Sequence, residues 1–340
     1  YTHPKEGEYT QVQIRQDAFE VLGFIITPRD IFPKKQFLLL KLAAVDIGSN
    51  AIRMQITNVI EYEGTSTFKR LEYVRFPLRL GQDVFEVTED NPSHRIGPKR
   101  ASKFLKLIHA FKLLIDLYEV DDYLACATSA MREAENGEEL VALAKEEYGI
   151  DIQIIDGDTE ADILNNALLS FLGDGRYLHI DVGGGSTELN VFVNKEKVAA
   201  RSFPIGSVRR LNTRVSLDQV WNDVRQWIHE HVKPGDGKVT AIGTGGNINK
   251  IYDLSGKKLG KTIALSKVIS VRDFVASHSL EERINKLQLN PDRADVIIPA
   301  AEIYISVMKW VRATQILVPD VGLKDGVMQM LYQKHRVDSR

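Results

Sequence analysis

Short apolar runs alternate along this chain with longer stretches whose apolar residues recur at helical spacing, the pattern of an α/β protein. Between Pro98 and Val120, residues Phe104, Leu107, Ile108, Phe111, Leu114, Ile115 and Tyr118 fall on one helix face. Tyr123–Thr128 then reads as a short buried strand, and Ala134–Tyr148 as a charged helix closed by Gly149. Ile150–Ile155 is the next strand; Asp156-Gly157-Asp158-Thr159 breaks it and offers an N-cap to a helix reaching Leu172. The second half repeats the alternation, with strands at Glu188–Val193 and Val198–Phe203 and a helix over Leu217–Val232 that sets Trp221, Val224 and Ile228 on one side. Lys238–Ile242 is a further strand; it runs into Gly243-Thr244-Gly245-Gly246-Asn247 and opens another helix. A weak hinge at Gly173-Asp174-Gly175 suggests a boundary. We expect a leader over 1–36, a first domain over 37–172 braced by a C-terminal return over 315–340, and a second domain over 173–314.

Each half carries the same short motif, Val45-Asp46-Ile47-Gly48-Ser49-Asn50 in one and Ile180-Asp181-Val182-Gly183-Gly184-Gly185-Ser186-Thr187-Glu188 in the other. Each copy is entered through an apolar strand and left through another, Ala51–Ile60 and Glu188–Val193. An Asp leaving a buried strand, then Gly and a hydroxyl residue, turns backbone N–H groups outward where no Cβ blocks an approaching phosphate. The Asp, an acceptor only, suits a metal ion or an attacking water. One such turn is an ordinary strand end. Two copies, one per half, point to loops closing on one phosphate chain, as in the actin, Hsp70 and sugar-kinase architecture. The glycine turn Gly243, Gly245, Gly246 is a candidate nucleotide site, since a strand-to-helix turn presents N–H groups to an anion or ribose; such turns serve equally to pack a helix close to a sheet.

Composition narrows the picture little. The chain of 340 residues, 44% hydrophobic and 26% charged, has material for two domains with buried cores. A net charge of -2 gives no electrostatic case for DNA or a membrane surface. The single cysteine, Cys126, excludes an intrachain disulfide framework and reads as a small buried hydrophobe. Phe37–Ile47 is interrupted by Lys41 and Asp46, so no membrane span is expected, and the leader lacks the regions of a signal peptide; the expected location is cytoplasmic. Within the leader, Val21–Ile26 is expected to pack as an extra strand or to stay loosely attached.

Ala44–Asn50, Ala127–Ala134, Ile154–Ala161, Ile180–Glu188, Phe203-Pro204-Ile205-Gly206-Ser207-Val208-Arg209 and Asp292–Pro299 follow one another along the chain. These ordered motifs resemble the exopolyphosphatase and guanosine pentaphosphate phosphohydrolase (Ppx/GppA) family of the actin-like superfamily. The resemblance implies two duplicated actin-like (ribonuclease H-like) domains with an interdomain phosphate-binding cleft, in a short two-domain form. It implies hydrolysis of a terminal phosphoanhydride in linear polyphosphate or guanosine pentaphosphate, Mg²⁺ or Mn²⁺ as cofactor, and a homodimer. By the same resemblance, Glu160 activates the attacking water and Arg132 faces the phosphates. Asp46, Asp181 and Glu188 become metal ligands, and Ser49, Asn50, Gly183, Gly184, Gly185 and Ser186 phosphate donors. Gly206, Ser207 and Arg209 line the same cleft or form a plain turn. Arg53 and Arg79 are weaker candidates for the incoming chain, each as readily a surface arginine.

The chain also departs from the family pattern. Thr159 replaces an expected glutamate and Asp162 an expected arginine, Lys324-Asp325-Gly326 stands for Arg-Glu-Gly, and Phe85–Gly97 is long. These departures keep two alternatives open: a catalytically weakened protein that senses guanosine tetraphosphate, and an actin-like kinase using ATP.

Overall fold

The structure, a computed structural model, describes residues 37–62, 64–86, 93–209, 217–233, 237–257 and 261–338. The leader, with its Val21–Ile26 run, and residues 87–92 of the long segment before Gly97 lie outside the described residues. Contacts divide the chain into two compact units, 1–40 with 58–69 and 41–57 with 70–340. Among the described residues, the smaller unit holds the first residues of β1, the last of β2, the first of β3 and a turn at Gly64, whose φ of 76° suits glycine. All helices and every residue of the site described below belong to the larger unit.

Two sheets carry the structure. The first has the order β3-β2-β1-β4-β5, with β1 (Phe37–Ile47), β2 (Ile52–Tyr62), β3 (Thr65–Phe76), β4 (Asp122–Ala127) and β5 (Ile152–Ile154). Leu42, Ala43, Ala44, Val45 and Ile47 are all buried, an apolar run broken only by Asp46, as suits a central strand. β4 runs parallel to β1 with Asp46 opposite Cys126, and β5 runs parallel to β4. Four helices follow within this half: α1 (Leu80–Phe85), α2 (Pro98–Leu117), α3 (Ser129–Glu133) and α4 (Gly137–Tyr148). α2 starts at the predicted proline and buries Phe104, Ile108, Phe111 and Ile115 into the core of β1, β2 and β4.

The second sheet is built from β6 (Arg176–Val182), β7 (Thr187–Val193), β8 (Glu196–Phe203), β9 (Val239–Thr244), β10 (Ile263–Ala264) and β11 (Gln315–Leu317), ordered β10-β11-β9-β6-β7-β8. One face packs under α6 (Leu217–His231), α7 (Gly246–Leu254), α8 (Leu265–Ala276) and α11 (Ile297–Trp310), in a core containing Ile180, Leu189, Trp227, Tyr252 and Tyr304. Two short helices, α9 (Leu280–Asn285) and α10 (Pro291–Ala294), lead into α11. On a separate core, Leu164 and Leu168 of α5 (Gly157–Leu168) lie against Phe192 and Ile242. A boundary at residue 172 would leave α5 with the first sheet, yet its apolar face meets the second.

The C-terminal strand differs from expectation. β11 pairs in parallel with β9 and so joins the second sheet rather than bracing the first. α12 (Leu323–Asp338) makes the return: it packs along α5, and Lys334 and His335 reach Asp122 of β4 at 2.8 and 3.0 Å. The remaining predicted elements occur within a few residues of their expected ends; α5 stops at Leu168, where a 3₁₀ turn takes over.

Candidate active site

Strands β1 and β6 each end in the repeated motif, and the two loops meet. A Cβ added to Gly184 would stand 2.9 Å from Ser49 Cβ and 3.3 Å from the Asn50 nitrogen, so glycine is what lets the second loop seat against the first. Gly185 is closed in by Phe85 and Ser129, and Gly206 by the carbonyl of Gly184. Ser49 Oγ is 2.9 Å from Ser129 Oγ and accepts from the Ala130 N–H at 3.2 Å, fixing the first loop to α3. A cavity of about 250 Å³ opens here, bounded by Gly48–Ala51, Val182–Gly184 and Ser186, with Gly245 and Gly246 at the start of α7.

Carboxylates gather on its floor. Asp46, Glu160 and Asp181 line the cavity. Glu188 is buried behind Asp181, its partner in the β6–β7 register, and takes hydrogen bonds from Ser186 and, at 2.8 Å, from Ser202 Oγ. Asp46 accepts from Arg53 Nη1 at 2.7 Å. Burial, with Asp46 adding to it and Thr244 opposing, pushes Asp181 up to about 6. Burial and the adjacent Asp181 push Glu188 up to about 7.

Glu160 stands in the first turn of α5, whose N-cap Asp156 accepts from the Thr159 N–H at 2.7 Å. Its Oε2 is buried without a hydrogen-bond partner. Burial, then repulsion from Glu188, Asp181 and Asp46, raise its pKa well above the usual carboxylate range; Arg132 pulls the other way. A carboxylate so placed can accept a proton at neutral pH.

The structure places the other candidates unevenly. Ser49, Asn50, Gly183, Gly184, Ser186, Ser207, Gly245 and Gly246 line the cavity, while Gly185, Gly206, Arg209 and Gly243 do not. The Gly183 N–H is bound to the Ser186 carbonyl at 3.0 Å, so it closes the turn. Gly243 is a packing glycine, a Cβ there standing 2.7 Å from Ile316 Cδ1. Arg209 lies over the Phe85 ring and pairs with Glu133 and the Gly185 carbonyl, buttressing the second loop from behind. Arg132 donates to the Ile155 carbonyl at 2.6 Å and acts on Glu160 and Glu188 as a nearby charge. Arg53 lines the cavity; Arg79 is paired with Asp295 at 2.6 Å and does not. Asp162, half of one departure, bonds Lys197 outside the cavity.

Tyr73, Arg75, Asn249, Arg293 and Lys324 also line the cavity, unforeseen in sequence as site residues. Arg293 lies in the Asp292–Pro299 motif, and Lys324 in the departing Lys-Asp-Gly, which were the available signals.

Among the described residues, no three His, Cys, Asp or Glu side chains form a ready metal cage. Mg²⁺ does not require one: it keeps several waters and binds through one or two carboxylates. Asp46, Asp181 and Glu188 offer hard oxygen donors in a place where burial, with neighbouring carboxylates adding to it, drives Asp181 and Glu188 toward protonation, so the donor set fits a divalent cation.

Two glycine turns from a duplicated strand motif, meeting beside a carboxylate-floored cavity, belong to an actin-like fold. Comparison with known proteins narrows this further. The model of the Ppx/GppA phosphatase family matches residues 65–335, and the chain belongs to that family. It is 23% identical to exopolyphosphatase 1 of Mycobacterium tuberculosis over 309 residues, covering 85% of this chain and 87% of that one. It is likewise 23% identical to a putative exopolyphosphatase of Haemophilus influenzae, covering 90% and 95%. Among solved structures, an exopolyphosphatase from Cytophaga hutchinsonii superposes with a TM-score of 0.70 at 21% identity, covering 86% of this chain and 98% of that one. The Aquifex aeolicus Ppx/GppA family member gives 0.67 at 23% identity, covering 88% and 99%. These structures share the two-sheet, actin-like fold.

Proposed function

We propose that the protein is a Mg²⁺-dependent phosphohydrolase that removes the terminal phosphate of linear polyphosphate, of guanosine pentaphosphate, or of both. The observation that carries this reading is Glu160 Oε2, a buried carboxylate oxygen with no partner on the wall of a cavity formed by two phosphate turns. The names of the relatives, exopolyphosphatases, support the substrate class.

In this scheme Glu160 takes a proton from water as the water oxygen attacks the terminal phosphorus. The bridging P–O bond breaks, its electron pair leaves with the shortened chain, and orthophosphate is the second product. Ser49, Asn50 and the backbone of Gly184 and Ser186 hold the terminal phosphate, and Arg53 and Arg293 bring guanidinium charge to the cavity. Asp46, Asp181 and Glu188 would hold Mg²⁺, which supplies charge neutralisation to the phosphoryl oxygens. Asp162, which with Thr159 motivated the reading as a weakened nucleotide sensor, bonds Lys197 and is not among the residues lining the cavity, which supports the hydrolase over the sensor.

The test is orthophosphate release from long-chain polyphosphate and guanosine pentaphosphate, each with Mg²⁺ and with EDTA. Mg²⁺-dependent release supports the proposal and ranks the substrates. No release from either, with ATP-dependent phosphorylation of a small acceptor or tight guanosine tetraphosphate binding instead, overturns it.

A further inference from the structure

Behind the cavity floor a row of four polar side chains crosses three strands of the second sheet. His179 pairs with Asn190 in the β6–β7 register, and Asp181 with Thr244 in the β6–β9 register. His179 and Asp181, two residues apart on β6, therefore share a face. His179, Asn190 and Thr244 are fully buried, where polar groups are mostly held by partners.

With the Asn190 amide as it stands, the contacts run in one direction. Its Nδ2, a donor only, lies 3.0 Å from His179 Nδ1, which is then bare, while Asn190 Oδ1 is buried without a hydrogen-bond partner. A neutral imidazole bare at Nδ1 carries its proton on Nε2, which donates to Thr244 Oγ1 at 2.8 Å. With its oxygen accepting from the imidazole, the Thr244 hydroxyl has its proton free for Asp181, its register partner on the same face of the sheet. An ionised carboxylate can only accept, so the opposite imidazole tautomer would consume the threonine proton and leave Asp181 without this donor. Tyr304 fixes the same corner: its hydroxyl donates to the Thr244 carbonyl and accepts from the Val182 N–H at 3.2 Å.

We propose that Asn190, His179 and Thr244 form a one-way hydrogen-bond relay that positions the Asp181 carboxylate for the cation, with His179 and Thr244 as positioning residues. The inference rests on the hydrolase reading for the cation's role, but the direction of the relay belongs to the protein alone. Supporting groups of this kind typically alter metal affinity by about 10–100-fold when removed.

The tautomer is read first, by ¹⁵N NMR of the histidine-labelled protein without metal or substrate. We expect a buried imidazole protonated at Nε2 and bare at Nδ1, absent from His179→Leu; the Nδ1–H tautomer overturns the relay whatever the enzyme's substrate proves to be. Calorimetric titration with Mg²⁺ alone then compares four variants. Thr244→Val and His179→Leu should bind about tenfold more weakly, while Thr244→Ser, which keeps the hydroxyl, and His179→Gln, whose amide can replace the Nε2–H, should stay within about threefold of wild type. Equal weakening in the conservative variants, or no change in Thr244→Val, overturns the positioning role.

Discussion

Removing one buried acid should make the protein more stable above neutral pH. Glu188 and Asp181 are register partners inside the second sheet, with ionisation pushed up to about 7 and about 6 from ordinary values of 4.5 and 3.8. A carboxyl whose folded pKa lies above its unfolded one binds more protons in the native state, so its contribution is fully present below the unfolded value and lost as pH rises through the folded value. For Glu188 the window runs from about pH 4.5 to about 7. At ~1.4 kcal/mol per unit, the shift corresponds to roughly 3 kcal/mol, and the coupling between the two acids makes their joint loss smaller than the sum of the parts. Glu188→Gln keeps the shape, removes the charge and should recover a few kcal/mol at pH 8, roughly 5 °C in melting temperature. The assay is thermal unfolding in EDTA from pH 5 to 8.5. We expect the wild type to lose stability across this range, the variant to lose less, and Mg²⁺ to narrow the gap at pH 8. A wild-type melting temperature that is flat or rising over pH 5–7.5, or a variant with the same slope, would refute the electrostatic reasoning.

Other consequences are equally open to test. Gly184→Val should cost about 1–3 kcal/mol in thermal unfolding and most of the turnover, because its side chain would occupy the Ser49 contact that brings the loops together. Tyr304→Phe should destabilise by about 1–3 kcal/mol in denaturant unfolding, since it strips a buried donor from the Thr244 carbonyl and an acceptor from Val182. Asp162→Arg, restoring the family residue, should leave kcat and KM for polyphosphate within about threefold, because position 162 pairs with Lys197 away from the cavity.

Much of the site is legible in the sequence because its chemistry is local. The Asp-x-Gly turns, the Asp156 cap that presents Glu160 and the helix after Gly245 each lie within a few residues, and each occurs as expected. What could not be read depends on where distant segments meet. Tyr73 and Arg75 come from an exterior strand, Arg293 from a short helix and Lys324 from the C-terminal return; only the folded topology gathers them on one cavity. The destination of β11 was hidden for a related reason, since a three-residue apolar strand carries no mark of the sheet it will join. Glycines are ambiguous for another reason. Gly206, a candidate for the cleft or a plain turn, and Gly243, in the candidate nucleotide turn, are each small because a neighbouring backbone or side chain fills the space a Cβ would take.

The most direct test of the hydrolase proposal separates binding from turnover in Glu160→Gln. With Mg²⁺ and polyphosphate, we expect orthophosphate release to fall by about 10²–10⁴-fold while equilibrium binding of the chain stays within a few-fold of wild type. Undiminished release would remove Glu160 from the chemistry, and parallel loss of binding and turnover would make it a structural acid instead.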